Sequence, residues 1–372
     1  MKIIKRINIC LIFCFILAGC EQNNQKMDVL EKNSDKKINY SQEEFYKKGI
    51  IEKIQTKLNS KNNILEMFNV KEVKISTDDR DGINRLKPLF AIDKKGNYYF
   101  VGNSSEIYKI SPVGKLIKKY FSIGRGPGEY QRINDICIDG EQNIFILDGG
   151  QKKIIKFSEE FKYLDSFNFG ENPISKLQIS DGGNLLAFIP TALEHPLVEF
   201  DKNSGEILKN YGQADFKTKE YGYAFSRAGS MFVSDNKSYY IFPLSYNLHI
   251  TDSENQTNIV QYPSAHFNEI NERIFIRKTT KKYDIIFAMY QLNREVLLLG
   301  KLSFGERGIG RADREYNLVS IYGDVIREKI SLEESPMIYG QIEPGKLVSI
   351  KHVEKKDNII DTYIRILDFN LD

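Results

Sequence analysis

The sequence predicts an all-β fold, a six-bladed β-propeller with four strands in each blade. A unit of short apolar runs and turns recurs six times, with first strands near residues 89, 135, 177, 231, 285 and 338. The mean spacing is about 50 residues, which suits one four-stranded propeller blade. The last unit lacks one strand and an unassigned strand precedes the first unit, as expected for a ring that closes on itself.

The first four units share a hairpin in which a strand ending in Asp leads through a polar turn into a second strand. The residues concerned are Asp93, Asp139, Asp181 and Asp235. An Asp carboxylate at this position accepts hydrogen bonds from the N–H groups of the turn, while Gly and Asn tolerate left-handed backbone conformations. We therefore assign these carboxylates to turn formation and not to catalysis.

Two further strands, rich in β-branched and aromatic residues, complete each early unit. In the first unit they are predicted at Ile107–Ile110 and Leu116–Phe121. The fifth and sixth units diverge and have longer insertions, of which Gly300–Arg314 and His352–Ile360 are predicted as loops.

The sixth unit ends after three strands, the last of them at Tyr363–Phe369. An additional strand, Val70–Ser76, lies upstream of the first unit. Because an open ring would expose unpaired strand edges, we expect this N-terminal strand to become the outer strand of the last blade.

The N-terminus has the pattern of a lipoprotein signal peptide. A basic start precedes the apolar run Ile7–Leu17, which is too short for a membrane-spanning helix and ends in Leu-Ala-Gly-Cys. We predict a signal peptide over 1–19, lipidation of Cys20 and membrane attachment through that lipid. The alternative is an ordinary secretory signal with an incidental cysteine. Residues 20–65 are predicted as a tether with a short helix, and 66–372 as the propeller.

Composition excludes several classes of protein. Hydrophobic residues make up 41% of the chain, which is enough for a core, and four cysteines are too few for a disulfide-stapled scaffold. The chain has 53 Lys and Arg against 50 Asp and Glu, and the excess lies in the signal peptide. The rest is neutral, so we expect no nucleic-acid partner. We also expect the protein to be a monomer. Cys137 is expected to be a core residue.

The segment Phe121–Tyr130 reads Phe-Ser-Ile-Gly-Arg-Gly-Pro-Gly-Glu-Tyr and joins the first two units. It resembles the Gly-Arg-Gly-Pro-Gly-Glu-Tyr segment of six-bladed β-propeller lipoproteins of Bacteroidetes, which are relatives of NHL-repeat propellers. The signal peptide and the Asp-x-x-Gly-Asn turns agree with that resemblance, which covers essentially the whole chain. It implies the fold and a membrane-anchored position outside the cytoplasm, at the outer membrane or cell surface, but no activity.

Candidate binding residues lie in loops predicted on one face of the ring, around its channel. They are Arg125, Glu129, Arg132, Arg307 and Arg311. Arg side chains in two glycine-rich loops predict binding of an anionic or hydroxyl-rich ligand, such as a glycan, a peptide or an envelope protein. The alternative is that Gly and Pro in 124–129 only shape a tight turn.

The enzyme hypothesis rests on three histidines predicted in loops of the same face. These are His195, His266 and His352, weak candidates for ligands of one divalent metal. A cluster of this kind would resemble that of metal-dependent NHL-type lyases, so the alternative function is a lyase or lactonase-type hydrolase. The chain has no Ser-His-Asp order, HExxH or CxxC motif. We therefore favour a binding protein without a cofactor, and expect His249, within a strand, to be structural.

Overall fold

The computed structural model describes residues 48–49, 51–56, 64–76, 83, 85–215, 228–263, 267–269, 282–304, 312–330, 337–354 and 360–369. The chain divides into two units, Met1–Ile50 and Ile51–Asp372, and the fold described below is that of the second. Within that second unit residues 51–56 are helical, as predicted, and Ile54 is fully buried. The predicted signal peptide and Cys20 lie outside the described residues. No helix in the described part of the chain is long and apolar enough to cross a membrane.

The described strands form six four-stranded antiparallel sheets, which confirms the predicted six-bladed propeller. Blades 1 and 2 consist of β2 (Leu86–Ile92), β3 (Tyr98–Gly102), β4 (Ile107–Ile110), β5 (Leu116–Tyr120), β6 (Ile133–Ile138), β7 (Ile144–Asp148), β8 (Lys153–Phe157) and β9 (Tyr163–Asn168). Blades 3 and 4 consist of β10 (Lys176–Ile179), β11 (Leu185–Phe188), β12 (Leu197–Phe200), β13 (Ile207–Tyr211), β14 (Ser230–Ser234), β15 (Lys237–Ile241), β16 (Asn247–Thr251) and β17 (Thr257–Gln261). Blades 5 and 6 consist of β18 (Tyr283–Gln291), β19 (Val296–Phe304), β20 (Ala312–Ser320), β21 (Val325–Ile330), β22 (Ile338–Glu343), β23 (Lys346–Glu354), β24 (Ile360–Phe369) and β1 (Phe68–Lys74).

The ring closes through its N-terminal strand, as the sequence predicts. β1 pairs with β24 from Phe68 opposite Phe369 to Lys74 opposite Tyr363, and thereby completes blade 6. Immediately afterwards the Ser76 N–H donates to the Gly114 carbonyl of blade 1 at 2.9 Å. The same short segment therefore joins the last blade to the first.

The predicted turn chemistry holds in blades 1 and 2. The Asp93 carboxylate accepts hydrogen bonds from the N–H groups of Lys95 and Asn97, and Asp139 accepts the equivalent bonds from its own turn. Blade 3 uses the Ser180 hydroxyl as the acceptor in place of Asp181. In blade 4 Asp235 has a φ of 52°, so it forms the turn through its backbone.

Two predicted loops are too long. The hairpin of β19 and β20 keeps its register out to Phe304 opposite Ala312, and that of β23 and β24 out to Glu354 opposite Ile360. The prediction ended each strand where polar residues enter the sequence. Those residues alternate with apolar ones, which is the period of a half-exposed strand.

The core lies between the blades, where aromatic and branched side chains of neighbouring sheets interlock. Between blades 3 and 4, for example, Phe188 packs against Tyr240 and Phe242 at centroid distances of 5.8 and 5.4 Å. Cys137 is buried in this type of core, and burial raises the pKa of its thiol well above the usual value. A buried neutral thiol of this kind is inert, which agrees with its predicted role.

Candidate functional site

The innermost strand of each blade lines a central channel with a cavity of about 490 Å³. These strands are β2, β6, β10, β14, β18 and β22. Side chains from all six face the cavity, and aromatic rings such as Phe90, Phe232, Phe287 and Tyr339 lie beside polar groups such as Gln178. A cavity of this size and mixed character is suited to a small ligand.

Four of the six inner strands are interrupted by β-bulges. In each, the register with the second strand shifts and leaves extra residues unpaired: Asn134 in blade 2, Phe287 in blade 5, Tyr339 in blade 6, and residues 87–89 opposite one residue of β3 in blade 1. Blades 3 and 4 pair their inner strands without a shift. Blades 5, 6, 1 and 2 are contiguous in the ring, so the bulges run from blade 5 round to blade 2, which lies opposite it. We call these four blades the bulged half, and the remaining blades 3 and 4 the regular half.

Glycines make room for the side chains of the bulged half. A Cβ on Gly149 would lie 2.1 Å from the Asn134 amide, and one on Gly300 would lie 2.7 Å from the Phe287 ring. A bulge re-aims its extra side chain and often lies beside a functional site. Gly300 lies inside an apolar run, and the sequence analysis assigned it to the start of a loop. A glycine within a strand often marks a bulge or a close approach of another group.

A buried ion network lies beside the Phe287 bulge. Lys301, which is 1% exposed, lies opposite Ile286 in the strand register, one residue before the bulge. Its ammonium is 3.6 Å from the Asp284 carboxylate and 3.2 Å from the Glu315 carboxylate. The network therefore connects β18, β19 and β20 and holds the bulged segment in one arrangement.

Arg132 directly precedes the inner strand β6, and two hydrogen bonds hold its side chain beside the Asn134 bulge. Its Nε donates to the Asn134 side chain at 3.3 Å and its Nη2 to the Gly149 carbonyl at 2.7 Å. Both acceptors are neutral, and in the described part of the chain no carboxylate pairs with Arg132. Its exposed guanidinium therefore keeps a full positive charge that faces solvent.

Glu129 belongs to the architecture of the 124–129 loop. Its carboxylate accepts a hydrogen bond from the Gly126 N–H at 2.7 Å, and a Cβ on Gly124 would lie 2.0 Å from the same carboxylate. The Tyr130 hydroxyl is buried and donates to the Ser105 carbonyl at 2.9 Å. These contacts support the interpretation of the motif as a sterically determined turn. Arg125 is exposed, and no described residue bonds to its side chain.

Asp148 anchors this loop to blade 2, and the sequence analysis missed it. It is fully buried, and its carboxylate accepts hydrogen bonds from the backbone N–H groups of Gln131, Arg132, Gly150 and Gln151. The Gln151 side chain also donates to it at 2.9 Å. The sequence signal for this role is Asp-Gly-Gly directly after an apolar strand, a pattern typical of a turn.

Further cations surround the bulged half. The pKa of Lys87 is lowered by burial and by the nearby positive charge of Arg132, and the Glu106 carboxylate opposes that effect. The pKa of His352 is likewise lowered by burial and by the charge of Arg85. Lys87 therefore lies within electrostatic range of Arg132, and His352 within that of Arg85. Neither Arg85 nor Lys87 lies in a recognisable sequence motif.

Arg314 adds a cation on the blade 5 side. Its guanidinium lies 5.8 Å from the centroid of the bulged Phe287 ring, a cation–π distance. Burial raises the pKa of the Tyr339 hydroxyl, and the charges of Arg314 and Arg85 oppose that rise. Tyr339 therefore lies within electrostatic range of cations from both of its neighbouring blades.

The two candidate metal ligands that the structure describes, His195 and His352, are not brought together. His195 lies in blade 3, where its Nδ1 is 3.1 Å from the Gly212 carbonyl oxygen. His352 lies in strand β23 of blade 6, on the opposite side of the ring, which corrects its predicted place in a loop. His266, Arg307 and Arg311 lie outside the described residues. Within the described ranges, no group of three or more His, Cys, Asp or Glu residues is placed to hold a metal ion.

His249 lies within strand β16, as predicted, and its surroundings are those of a core residue. It is 2% exposed and lies between the rings of Tyr240 and Phe242, at centroid distances of 5.0 and 5.1 Å. Neither ring nitrogen has a hydrogen-bond partner among the residues that the structure describes. Burial lowers the pKa of its imidazole to about 4, so it is neutral at physiological pH.

Comparisons with known proteins agree with this architecture. A protein from Bacteroides fragilis described as exported has 13% identity, a TM-score of 0.62, and coverage of 83% of this chain and 97% of its own. A member of the DUF4221 family from Bacteroides vulgatus has 10% identity, a TM-score of 0.55, and coverage of 82% and 98%. At these identities the likeness shows the fold alone, and no curated protein matches the chain. A family model described as a six-bladed β-propeller matches residues 39–298, and the chain therefore belongs to the DUF5128 family.

Proposed function

We propose that this chain is an extracytoplasmic lipoprotein that binds a ligand at the channel mouth formed by its inter-blade loops. The observation that carries the proposal is the bulged half, in which four contiguous inner strands give up regular pairing. Each bulge interrupts the hydrogen bonds between two strands and places a side chain at a cavity of about 490 Å³. Blades 3 and 4 close the same ring without bulges, so ring closure alone does not require them.

The location is supported by the Leu-Ala-Gly-Cys end of the apolar run and by the exported relative of the same fold. Lipidation of Cys20 would anchor the mature chain through acyl chains, each CH₂ of which contributes about 0.8 kcal/mol when buried. Replacement Cys20→Ala is expected to move the protein from the membrane fraction to the soluble fraction. Unchanged membrane association in a fractionation assay would refute the lipid anchor.

Binding is tested with the purified full chain, immobilised and exposed to glycan arrays and to fractionated envelope material. Tyr339→Ser removes a bulged ring and is expected to abolish retention of the bound component. Lys237→Gln, at the exposed start of β15, is the matched control and is expected to retain it. Equal retention by both variants, or no retention by the wild type, would contradict the proposal.

Catalysis is not part of this proposal, and absence of a bound metal remains a prediction. Elemental analysis of the protein purified without chelator is expected to find no stoichiometric zinc or calcium. A stoichiometric metal that is lost in His195→Ala or His352→Ala would instead favour the enzyme hypothesis.

A further inference from the structure

The buried ion network of blade 5 places one lysine between two carboxylates on three neighbouring strands. Lys301 is on β19, Asp284 on β18 and Glu315 on β20. Because Lys301 pairs with Ile286 in the register, Asp284 is its diagonal neighbour on the same face, within reach of a long side chain. Lys301 and Asp284 are each 1% exposed, so both groups are removed from solvent.

Two carboxylate oxygens of this network have no hydrogen-bond partner among the described residues. One is Oδ1 of Asp284, and the other is Oε2 of Glu315, which lies 3.2 Å from the Lys301 ammonium but outside hydrogen-bond geometry. Oδ2 of Asp284, by contrast, accepts from the Asn268 N–H at 2.7 Å and from the Asn268 side-chain amide at 3.2 Å. A buried carboxylate oxygen without a partner is costly, so Oδ1 requires an explanation.

A second buried lysine, in blade 1, has the same surroundings except for this oxygen. Lys109 lies 3.6 Å from the Asp93 carboxylate and 3.0 Å from that of Glu159, much as Lys301 lies between its two partners. Both oxygens of Asp93, however, accept hydrogen bonds. Burial opposes the ionisation of Asp93, but these bonds and the Lys109 charge lower its pKa overall. Asp93 is therefore held as a carboxylate, which does not react with an amine.

We propose that Lys301 and Asp284 form an intramolecular amide, an isopeptide bond, with Glu315 as the proton relay. A proton first moves from the Lys301 ammonium to the Asp284 carboxylate, which replaces a buried ion pair by a neutral amine and a neutral acid. Nζ then attacks Cγ of Asp284, so that the N–C bond forms and the bond from Cγ to Oδ1 breaks. One proton passes from Nζ through Glu315 to Oδ1, and Oδ1 leaves as water.

The surrounding groups suit each step of this reaction. Oδ2 becomes the amide oxygen, and the two Asn268 donors stabilise the negative charge that develops on it. The Glu315 side chain is 22% exposed, so it can exchange protons with solvent. The product retains neither the ion pair of Lys301 with Asp284 nor the unpartnered Oδ1. The new bond joins β18 to β19 beside the Phe287 bulge, where their register is interrupted.

The test is a tryptic peptide map of the purified full chain, measured by mass spectrometry. Trypsin does not cleave after an acylated lysine, so peptides 283–294 and 295–307 are expected as one joined species that lacks the mass of one water molecule. Cleavage after Lys109 is the internal control and is expected to be complete. Separate peptides with a free Lys301 overturn the inference. A bond from Lys301 to peptide 315–327, which contains Glu315, overturns it as well.

Variants separate the roles of the three side chains. Lys301→Met and Asp284→Ala are expected to give separate peptides, because each removes one partner of the bond, whereas Lys109→Met leaves the joined species unchanged. Glu315→Gln keeps the shape of the side chain but cannot relay a proton, and it is also expected to give separate peptides. A fully joined species in Glu315→Gln would refute the relay. Circular dichroism checks folding, and where a variant does not fold, the wild-type map decides. No ligand enters these measurements, so they are independent of the proposed binding function.

Discussion

The inner strands on the two sides of this channel differ in how they pair with the second strands of their blades. Blades 3 and 4 keep an unbroken register between their inner and second strands, and Gln178 ties them together through its side-chain donation to the Met231 carbonyl at 3.2 Å. Blades 5, 6, 1 and 2 carry bulges, and the Tyr290 hydroxyl ties blade 5 to the Ile338 carbonyl of blade 6 at 3.0 Å. The regular half shows that inner strands with unbroken pairing are compatible with ring closure. The bulges of the bulged half are therefore an addition that closure does not require.

The largest effect is expected from opening the ring on its bulged side. A chain lacking residues 66–77 loses β1, which pairs with β24 over seven residues, and also the Ser76 connection to blade 1. The β24 edge of blade 6 would then be exposed and blade 1 would lose its hydrogen bonds with Ser76, and we expect loss of the cooperative urea transition. A chain lacking residues 21–37, in the predicted tether, is the matched control and should unfold cooperatively. A cooperative transition in the first deletion would refute the role of the clasp.

The regular half is expected to be the acid-sensitive one because of His249. Its pKa of about 4 lies below the usual 6.5, so the unfolded chain binds a proton that the folded chain does not. Stability from this group is complete above pH 6.5 and is lost as the pH falls through 4, with a total of about 3 kcal/mol. His249→Phe keeps the contacts with Tyr240 and Phe242 and should remove this part of the pH dependence.

The measurement is the free energy of unfolding in urea from pH 7 to pH 4, taken as the difference between wild type and His249→Phe. Taking the difference cancels the carboxylates, of which Asp93 and Asp139 also have lowered pKa values. Parallel curves for the two proteins over this interval would show that His249 does not titrate in this way.

The glycines under the bulges give the next largest effect. Gly300→Ala would place a Cβ 2.7 Å from the Phe287 ring, and we expect a loss of about 1–3 kcal/mol as the bulge is displaced. Gly182→Ala is the control in blade 3, where the nearest atom to a new Cβ is 3.6 Å away, and it should be nearly neutral. Urea denaturation midpoints measure both. Equal stability of the two variants would mean that the bulge adapts freely.

Sequence reasoning reached the fold because each blade repeats its own local signals. Alternating apolar residues and the turn acceptors Asp93 and Asp139 are recognised within a few residues of chain. The missing fourth strand of the sixth unit predicts the closure by Val70–Ser76. The bulged half is different in kind. Whether Phe287 or Tyr339 is paired or left over depends on the register with the next strand, and no local pattern encodes that register.

The candidate site was therefore predicted only in part. Arg132 was singled out because it lies beside a glycine-rich motif, whereas Lys87 and Arg314 lie in ordinary strand sequence and Arg85 directly precedes β2. Asp148 was missed because its four backbone donors come from two separate loops. Only Gly300, a glycine inside an apolar run, gave a local sign of the bulge.

The smallest effect is expected at Glu129, and it tests whether this residue shapes the 124–129 loop or contacts a ligand. Glu129→Ala removes the acceptor of the Gly126 N–H, and we expect a loss of about 1 kcal/mol because that bond is charge-assisted but partly solvated. Glu129→Gln keeps an acceptor at the same place and should recover most of that loss. If Glu129 shapes the loop and does not contact the ligand, neither variant changes retention of the bound envelope component beyond the effect of its loss of stability. A loss of retention in Glu129→Gln, which keeps the loop, would instead show that the Glu129 carboxylate contacts the ligand, because only its charge has then been removed.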